Sequence, residues 1–301
     1  MFFYHLYGLG ILSEINFPEL IPKKSNIDVV IRFGDTSKLS GTILKEYYLD
    51  NTVKFQFISN RIHFFWHDVE IYVIRDGKEI IVNPNAGLDE NILKLFILGS
   101  ALAIILHQKG MLVLHANAIN INNQAVAFVG PSGSGKSTTS LALCRHGYNL
   151  ISDDVLCIQV KKNGLPMIFP GFPRLKIWPE VIKNTYKNLE STPKLHYNTD
   201  KRSYYVDNFS DSPLPLKAIY LMETGNKTCI KETSSQDSIV ELIKSSYCLS
   251  IFNEEELSKN LNQCSKIVNM IQIKRLKVRH SFKTFHELVN IIENDILNKN
   301  M

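Results

Sequence analysis

Eight consecutive residues, Gly130-Pro131-Ser132-Gly133-Ser134-Gly135-Lys136-Ser137, constrain this chain more than any other feature. They fit the pattern GxxxxGK[ST] in full, and their surroundings are those the pattern needs. The run Ala125-Val126-Ala127-Phe128-Val129 before them is short and unbroken, as for a strand buried on both faces of a sheet. After them, Lys136 to His146 reads as a helix that ends at Gly147, and Tyr148-Asn149-Leu150-Ile151 re-enters a strand. The expectation is a βαβ unit with the loop at the C-terminal edge of its sheet. Glycines let the backbone curl so that successive N–H groups face phosphate oxygens, and the following helix adds the positive end of its dipole. Lys136 would then reach the β- and γ-phosphates and Ser137 would ligate Mg²⁺. Gly130 through Ser137, with Thr138 in the first helical turn, are therefore the candidate site for ATP and Mg²⁺, with Mn²⁺ as a substitute metal.

Asp153-Asp154 follows the next strand, sixteen residues after Ser137. In a parallel arrangement that position lies beside the loop at the same sheet edge. Adjacent carboxylates alternate in direction, so one can serve a metal while the other accepts a proton from an attacking hydroxyl. A solvated turn is the plainer alternative. His115 closes the apolar run Met111-Leu112-Val113-Leu114, where a histidine is as readily a satisfied structural residue as a catalyst.

The rest of the chain divides by pattern. Residues 1 to 88 carry short Ile/Val/Tyr/Phe runs with period-two patches, including Val53 to Phe57, Ile62 to Trp66, Ile71 to Ile74 and Ile80 to Val82. The Asp76-Gly77 pair supplies the positive φ of a tight hairpin. These residues read as a smaller, mostly β domain. Asn83 to Gly87 is a turn-rich break, and Asp89 can cap a helix beginning at Glu90. Residues 89–301 read as a second, α/β domain carrying the loop. Its segment 183–213 is polar and reads as a loop, and its last helices are expected over Ser235 to Ser245 and Phe282 to Leu297. The apolar stretch Ile92 to Leu106 is interrupted by Lys94 and falls short of the roughly 20 apolar residues that span a bilayer. A buried helix is the reading, with no membrane partner. A formal net charge of +5 on 301 residues, with scattered lysines, points to small anions or acidic peptides rather than nucleic acid. Five cysteines without a CxxC pair form neither a disulfide framework nor a zinc site, and suggest free thiols in the cytoplasm.

With His115, the loop and the aspartate pair in order, the chain resembles the HPr kinase/phosphorylase family, and within it the HPr-kinase-like proteins that accompany ribosomal peptide biosynthesis. The resemblance rests on His115-Ala116-Asn117, on Gly130 to Ser137 and on Gly147 to Val155. Leu98-Gly99-Ser100-Ala101-Leu102 and Pro170-Gly171-Phe172-Pro173-Arg174-Leu175-Lys176-Ile177-Trp178-Pro179 support it. It implies a P-loop, HPr-kinase-like catalytic domain and an ATP-dependent kinase acting on a serine of a precursor peptide, such as that of a lasso peptide. Under that resemblance Asp153 is the general base, Asp154 helps hold the metal with Ser137, and His115 tunes Asp153 or orients phosphate. Beside the resemblance, the loop around Arg174, Lys176, Lys201 and Arg202 offers cations for phosphate or an acidic peptide, with Arg174, Lys201 and Arg202 as the site candidates and solvated surface charges the alternative. Two departures stand out: Thr138 occupies a position where HPr-directed enzymes have glutamate, and their C-terminal glycine-arginine loop has no counterpart. An HPr substrate and the reverse reaction are thereby put in doubt, and a nucleotide-binding regulatory module is the competing class. Self-association is left open.

Overall fold

The computed structural model describes residues 1–301 except 50, 162–163, 184–188, 197–198, 280–284 and 298–301. It is a mixed α/β protein with several sheets, and it divides into two compact units, Met1–Met111 with Cys248–Leu257, and Leu112–Tyr247 with Ser258–Met301.

The first unit holds eight strands: β1 (Phe2–Leu6), β2 (Leu9–Ser13), β3 (Val29–Phe33), β4 (Lys45–Tyr48), β5 (Val53–Ile58), β6 (Arg61–Trp66), β7 (Val69–Arg75) and β8 (Glu79–Val82). They form one sheet in the order β1-β2-β3-β8-β7-β6-β5-β4. The Asp76-Gly77 turn between β7 and β8 has positive φ at both residues, as its sequence demands. Two helices follow, α1 (Glu90–Phe96) and α2 (Leu102–Gln108), joined through a π turn at Ile97–Ala101. Asp89 caps the first by accepting from the backbone N–H groups of Asn91 and Ile92. Here the unit departs from the expected boundary at residue 88. Phe96 packs on Phe64 and Trp66, and Ser100 shares a 2.9 Å hydrogen bond with the Tyr72 hydroxyl, so the helical run belongs to the β sheet's core. The 19-residue run Glu90–Gln108 is long and apolar enough to cross a membrane by length and composition, against the expectation that the stretch falls short. Its residues Ile97, Leu102, Ile105 and Leu106 are nevertheless fully buried.

The second unit carries β9 (Leu112–Leu114), β10 (Ala116–Ile121), β11 (Gln124–Val129), α3 (Lys136–Arg145), β12 (Asn149–Ser152), β13 (Leu156–Val160), β14 (Pro166–Phe169), β15 (Arg174–Ile177), α4 (Pro179–Ile182), β16 (Arg202–Tyr205), β17 (Leu214–Thr224), β18 (Cys229–Glu232), α5 (Ser235–Lys244), α6 (Glu254–Met270, its first residues in the other unit), β19 (Gln272–Val278) and α7 (Phe285–Ile296). The main sheet runs β12-β10-β11-β17-β14-β13-β9, with β19 beside β17 and β18 beside β19. Strand β11 is buried on both faces, as its apolar run requires. Val126 and Phe128 enter one core cluster with Leu141 of α3 and Ile292 of α7, while Ala125, Ala127 and Val129 enter another with Leu242 of α5 and Ile267 of α6.

The βαβ expectation needs one correction. Strand β12 does not pair with β11; it pairs antiparallel with β10, which pairs antiparallel with β11. The intervening β10 arises from a two-residue turn at Asn122-Asn123, both at positive φ, a conformation asparagine tolerates better than most residues. Two antiparallel steps still leave β12 running parallel to β11, so the two strands end at the same edge of the sheet. The expected loop over residues 183–213 contains β16, which forms a separate ribbon with β15. The expected final helix begins at Phe285, and residues 282–284 of that expectation lie outside the described residues.

Candidate active site

The site is assembled where β11, β12 and β15 end and β10 begins. The glycine-rich loop leaves β11 and enters α3 with Gly133 at φ 84° and Gly135, the residue before the helix, at φ 95°, a region that strongly favours glycine. At Gly130 the constraint is space: a Cβ there would lie 2.7 Å from the Met222 carbonyl oxygen. Lys136 is buried, and its Nζ curls back to donate to the carbonyl oxygens of Gly130 (2.6 Å) and Pro131 (3.1 Å). Burial pulls its pKa down, against the pull of Asp154 and Asp153.

Ser137 Oγ donates to Asp153 Oδ1 at 2.9 Å. The other oxygen of Asp153 accepts from the backbone N–H of Lys176 at 2.8 Å. Asp153 is buried, and burial together with the neighbouring Asp154 charge raises its pKa against these hydrogen bonds. Asp154 sits at φ 74°, a left-handed turn in which its carboxylate meets Lys176 Nζ on one oxygen and His115 Nδ1 (3.2 Å) on the other. Burial alone would raise its pKa; Lys176 first, then His115 and Lys201, override this and hold it well below the usual carboxylate range. His115 lies at the bend between β9 and β10, its backbone N–H donating to the Ser245 carbonyl at 2.7 Å. Burial lowers its pKa, opposed by Asp154 and reinforced by Lys136, Lys176 and Lys201.

Asn117, on the intervening strand β10, links the two halves. Its Nδ2 donates to Ser140 Oγ (3.1 Å) and Ser137 Oγ (3.4 Å), and its Oδ1 accepts from the Asp154 N–H at 3.4 Å. It was not singled out from sequence, although it belongs to the His115-Ala116-Asn117 phrase. Lys176 was noted there only as a loop cation, and β15 brings both its N–H and its ammonium to the aspartate pair.

These groups line a cleft of about 240 Å³ whose walls include His115, Lys136, Asp153, Asp154, Lys176 and Lys201. Ser132, Gly133, Gly135, Ser137 and Thr138 complete its loop side. Gly130 and Pro131 contribute the carbonyls that hold Lys136, and Ser134 is buried away from the cleft. Outside the loop, two further expected residues are not cleft-lining. Arg174 is buried with its guanidinium on the Phe172 ring, and Arg202 donates to the Thr192 carbonyl at 3.0 Å. Packing explains both: they start strands β15 and β16 and pair off within the ribbon's own surroundings. Of the two residues expected to hold the metal, Ser137 contacts Asp153, while Asp154 contacts Lys176 and His115.

Among the described residues no group of three or more His, Cys, Asp or Glu side chains could hold a metal by itself. The Ser137–Asp153 pair nonetheless suits Mg²⁺, which takes few protein oxygens and completes its shell with phosphate and water. The inward-facing loop and Lys136 suit a polyphosphate.

What fold and site together define is a mixed α/β protein with a glycine-rich loop facing an acidic pair. No family model matches the chain, and no curated protein matches it in sequence. Among solved structures it is similar to the Hpr(Ser) kinase/phosphatase from Coxiella burnetii, at 14% identity and a TM-score of 0.34, over 62% of this chain and 97% of that one. At that level the likeness carries no weight for the site, which stands on its own contacts.

Proposed function

We propose that this chain is an ATP-dependent kinase with an HPr-kinase-like P-loop domain and a smaller, mostly β domain. It binds Mg²⁺·ATP on the Gly130–Ser137 loop and moves the γ-phosphoryl group to a hydroxyl, a serine on a ribosomally made precursor peptide. The observation that carries this reading is the Ser137–Asp153 contact beside the Asp154–Lys176–His115 cluster in one cleft. A module that only held nucleotide would have no use for a second carboxylate fixed at that place.

The transfer forms a bond between the acceptor oxygen and the γ-phosphorus and breaks the bond from that phosphorus to the β–γ bridging oxygen. ADP leaves, and the hydroxyl proton passes to a carboxylate. Lys136 exchanges its loop carbonyls for β- and γ-phosphate oxygens. Ser137 and Asp153 are the pair suited to the metal, which when bound neutralises phosphate charge. Asp154, which Ser137 does not engage, is the carboxylate left to face the acceptor. This division reverses the one the family resemblance suggests. Lys176 and Lys201 add the positive charge that a spreading transition-state charge requires. Five free cysteines support a reducing, cytoplasmic setting.

Calorimetry tests the binding half. Wild-type protein should take up Mg²⁺·ATP, and Lys136→Ala should lose most of that affinity with an unchanged circular-dichroism spectrum. Equal affinity in both would remove the loop from the account. A wild-type protein that phosphorylates HPr and no precursor peptide would identify the alternative substrate.

A further inference from the structure

Trp178 follows β15 directly and precedes Pro179, the first residue of α4. Its neighbours Ile177 and Val181 are buried in the core, while its own indole is 47% exposed on the cleft wall. A single exposed aromatic is ordinary on a protein surface, but this one lines the cleft, where its face is open to an apolar group of whatever the cleft binds. Lys201 Nζ lies over the ring, 5.3 Å from its centroid, and holds it in place.

The position of the indole along the cleft identifies what it would meet. Lys176 and Trp178 are two residues apart in extended chain, so their side chains share a face, and the Lys176 ammonium is on Asp154. Trp178 and Lys201 line the same cleft as His115, Asp153 and Asp154. Trp178 therefore stands at the reacting end of the cleft. In ATP the base is separated from the γ-phosphate by the whole triphosphate and the ribose, so a platform at this end faces the acceptor.

We propose that Trp178 is a specificity-determining platform for the acceptor, packing a large apolar or aromatic side chain next to the phosphorylated hydroxyl. The proposal rests on the kinase reading and narrows its substrate class to hydroxyl-bearing peptides with such a flanking residue.

The chain has two tryptophans, so Trp66→Phe leaves Trp178 as the single indole reporter. The probes are Mg²⁺·ATP or Mg²⁺·triphosphate alone, and pentapeptides in Mg²⁺·ADP with a central serine flanked by alanine or by phenylalanine. The phenylalanine-flanked peptide should shift the Trp178 emission and bind about tenfold more tightly than the alanine-flanked one, a ratio in the range of one aromatic contact. Mg²⁺·ATP alone should change the emission no more than Mg²⁺·triphosphate, which lacks ribose and base. In the otherwise wild-type protein, Trp178→Ala should bring the two peptides to equal affinity, and Trp178→Phe should retain the preference. An emission shift with Mg²⁺·ATP that Mg²⁺·triphosphate does not reproduce would make Trp178 a nucleobase platform and overturn the proposal. Equal affinities in the wild type, or no peptide binding, would overturn it as well. A peptide preference without any phosphoryl transfer would uphold the platform while the kinase reading fails.

Discussion

Replacing Lys176 by Met isolates the charge that organises the aspartate pair. Methionine retains most of the apolar stem, and the backbone N–H that donates to Asp153 is untouched. What disappears is the ammonium on Asp154, in a pair whose side chains are 21% and 18% exposed. Breaking a buried pair by removing one partner costs about 3–5 kcal/mol, and an exposed pair contributes about 0–1 kcal/mol. With mostly buried partners, and with His115 still 3.2 Å from the carboxylate, the expected loss at neutral pH is about 2–3 kcal/mol. The pH dependence follows from the direction of the Asp154 shift. Its folded pKa is depressed, so its contribution is fully present above the unfolded carboxylate value of about 3.9 and is lost as pH falls through the folded value. The assay is urea unfolding of wild type and Lys176→Met from neutral pH down to the acid limit of stability. The difference should be flat near neutrality and shrink in acid. A difference of the same size at both ends would mean that Lys176 acts through its stem, and no difference would mean that the pair contributes nothing.

Gly130→Ala places a Cβ 2.7 Å from the Met222 carbonyl and 2.9 Å from Ser134 Oγ, so thermal unfolding should show about 1–3 kcal/mol of destabilisation together with weakened Mg²⁺·ATP binding in calorimetry. Asp153→Asn should raise the melting temperature at pH 7 while abolishing turnover. The folded carboxylate's pKa is raised, so the cost of ionising it is present above that value, and a neutral amide can still accept from the Lys176 N–H. The stability gain should vanish at a pH where the wild-type carboxyl is protonated, and a gain that persists there would assign it to packing. Asp154→Asn should leave Mg²⁺·ATP affinity within a few-fold and lower peptide phosphorylation by about 10²–10⁴-fold, the range for losing a proton acceptor; loss of nucleotide binding in step with turnover would place Asp154 on the metal instead.

The parts of the site that local chemistry dictates were legible in the sequence. A loop that needs glycine at Gly133 and Gly135 advertises itself, as do the helix after it, the Asp89 cap and the Asp76-Gly77 turn. Lys136, Ser137, Asp153, Asp154 and His115 came together in one cleft because strand ends at a common sheet edge converge, even though β10 intrudes between the strands that carry them. What stayed hidden was decided by tertiary packing. Residues 116–121 alternate no more clearly than a loop would, so β10 and with it Asn117 were missed. Arg174 and Lys176 look alike as cations in sequence, yet one stacks on Phe172 and the other reaches Asp154. The unit boundary moved from 88 to 111 because the Asn83 to Gly87 break marks a turn, while the aromatic contacts of Phe96 determine which core the helix joins.

The central claim is transfer of a phosphoryl group at this loop, and the most direct measurement is mass spectrometry of a serine-peptide library with randomised flanks, incubated with ATP and the wild-type protein. The expected result is a phosphorylated peptide population in Mg²⁺, absent in excess EDTA and absent with Lys136→Ala. Tight Mg²⁺·ATP binding by calorimetry with no phosphorylated peptide in the library would contradict the kinase account and leave a nucleotide-binding module in its place.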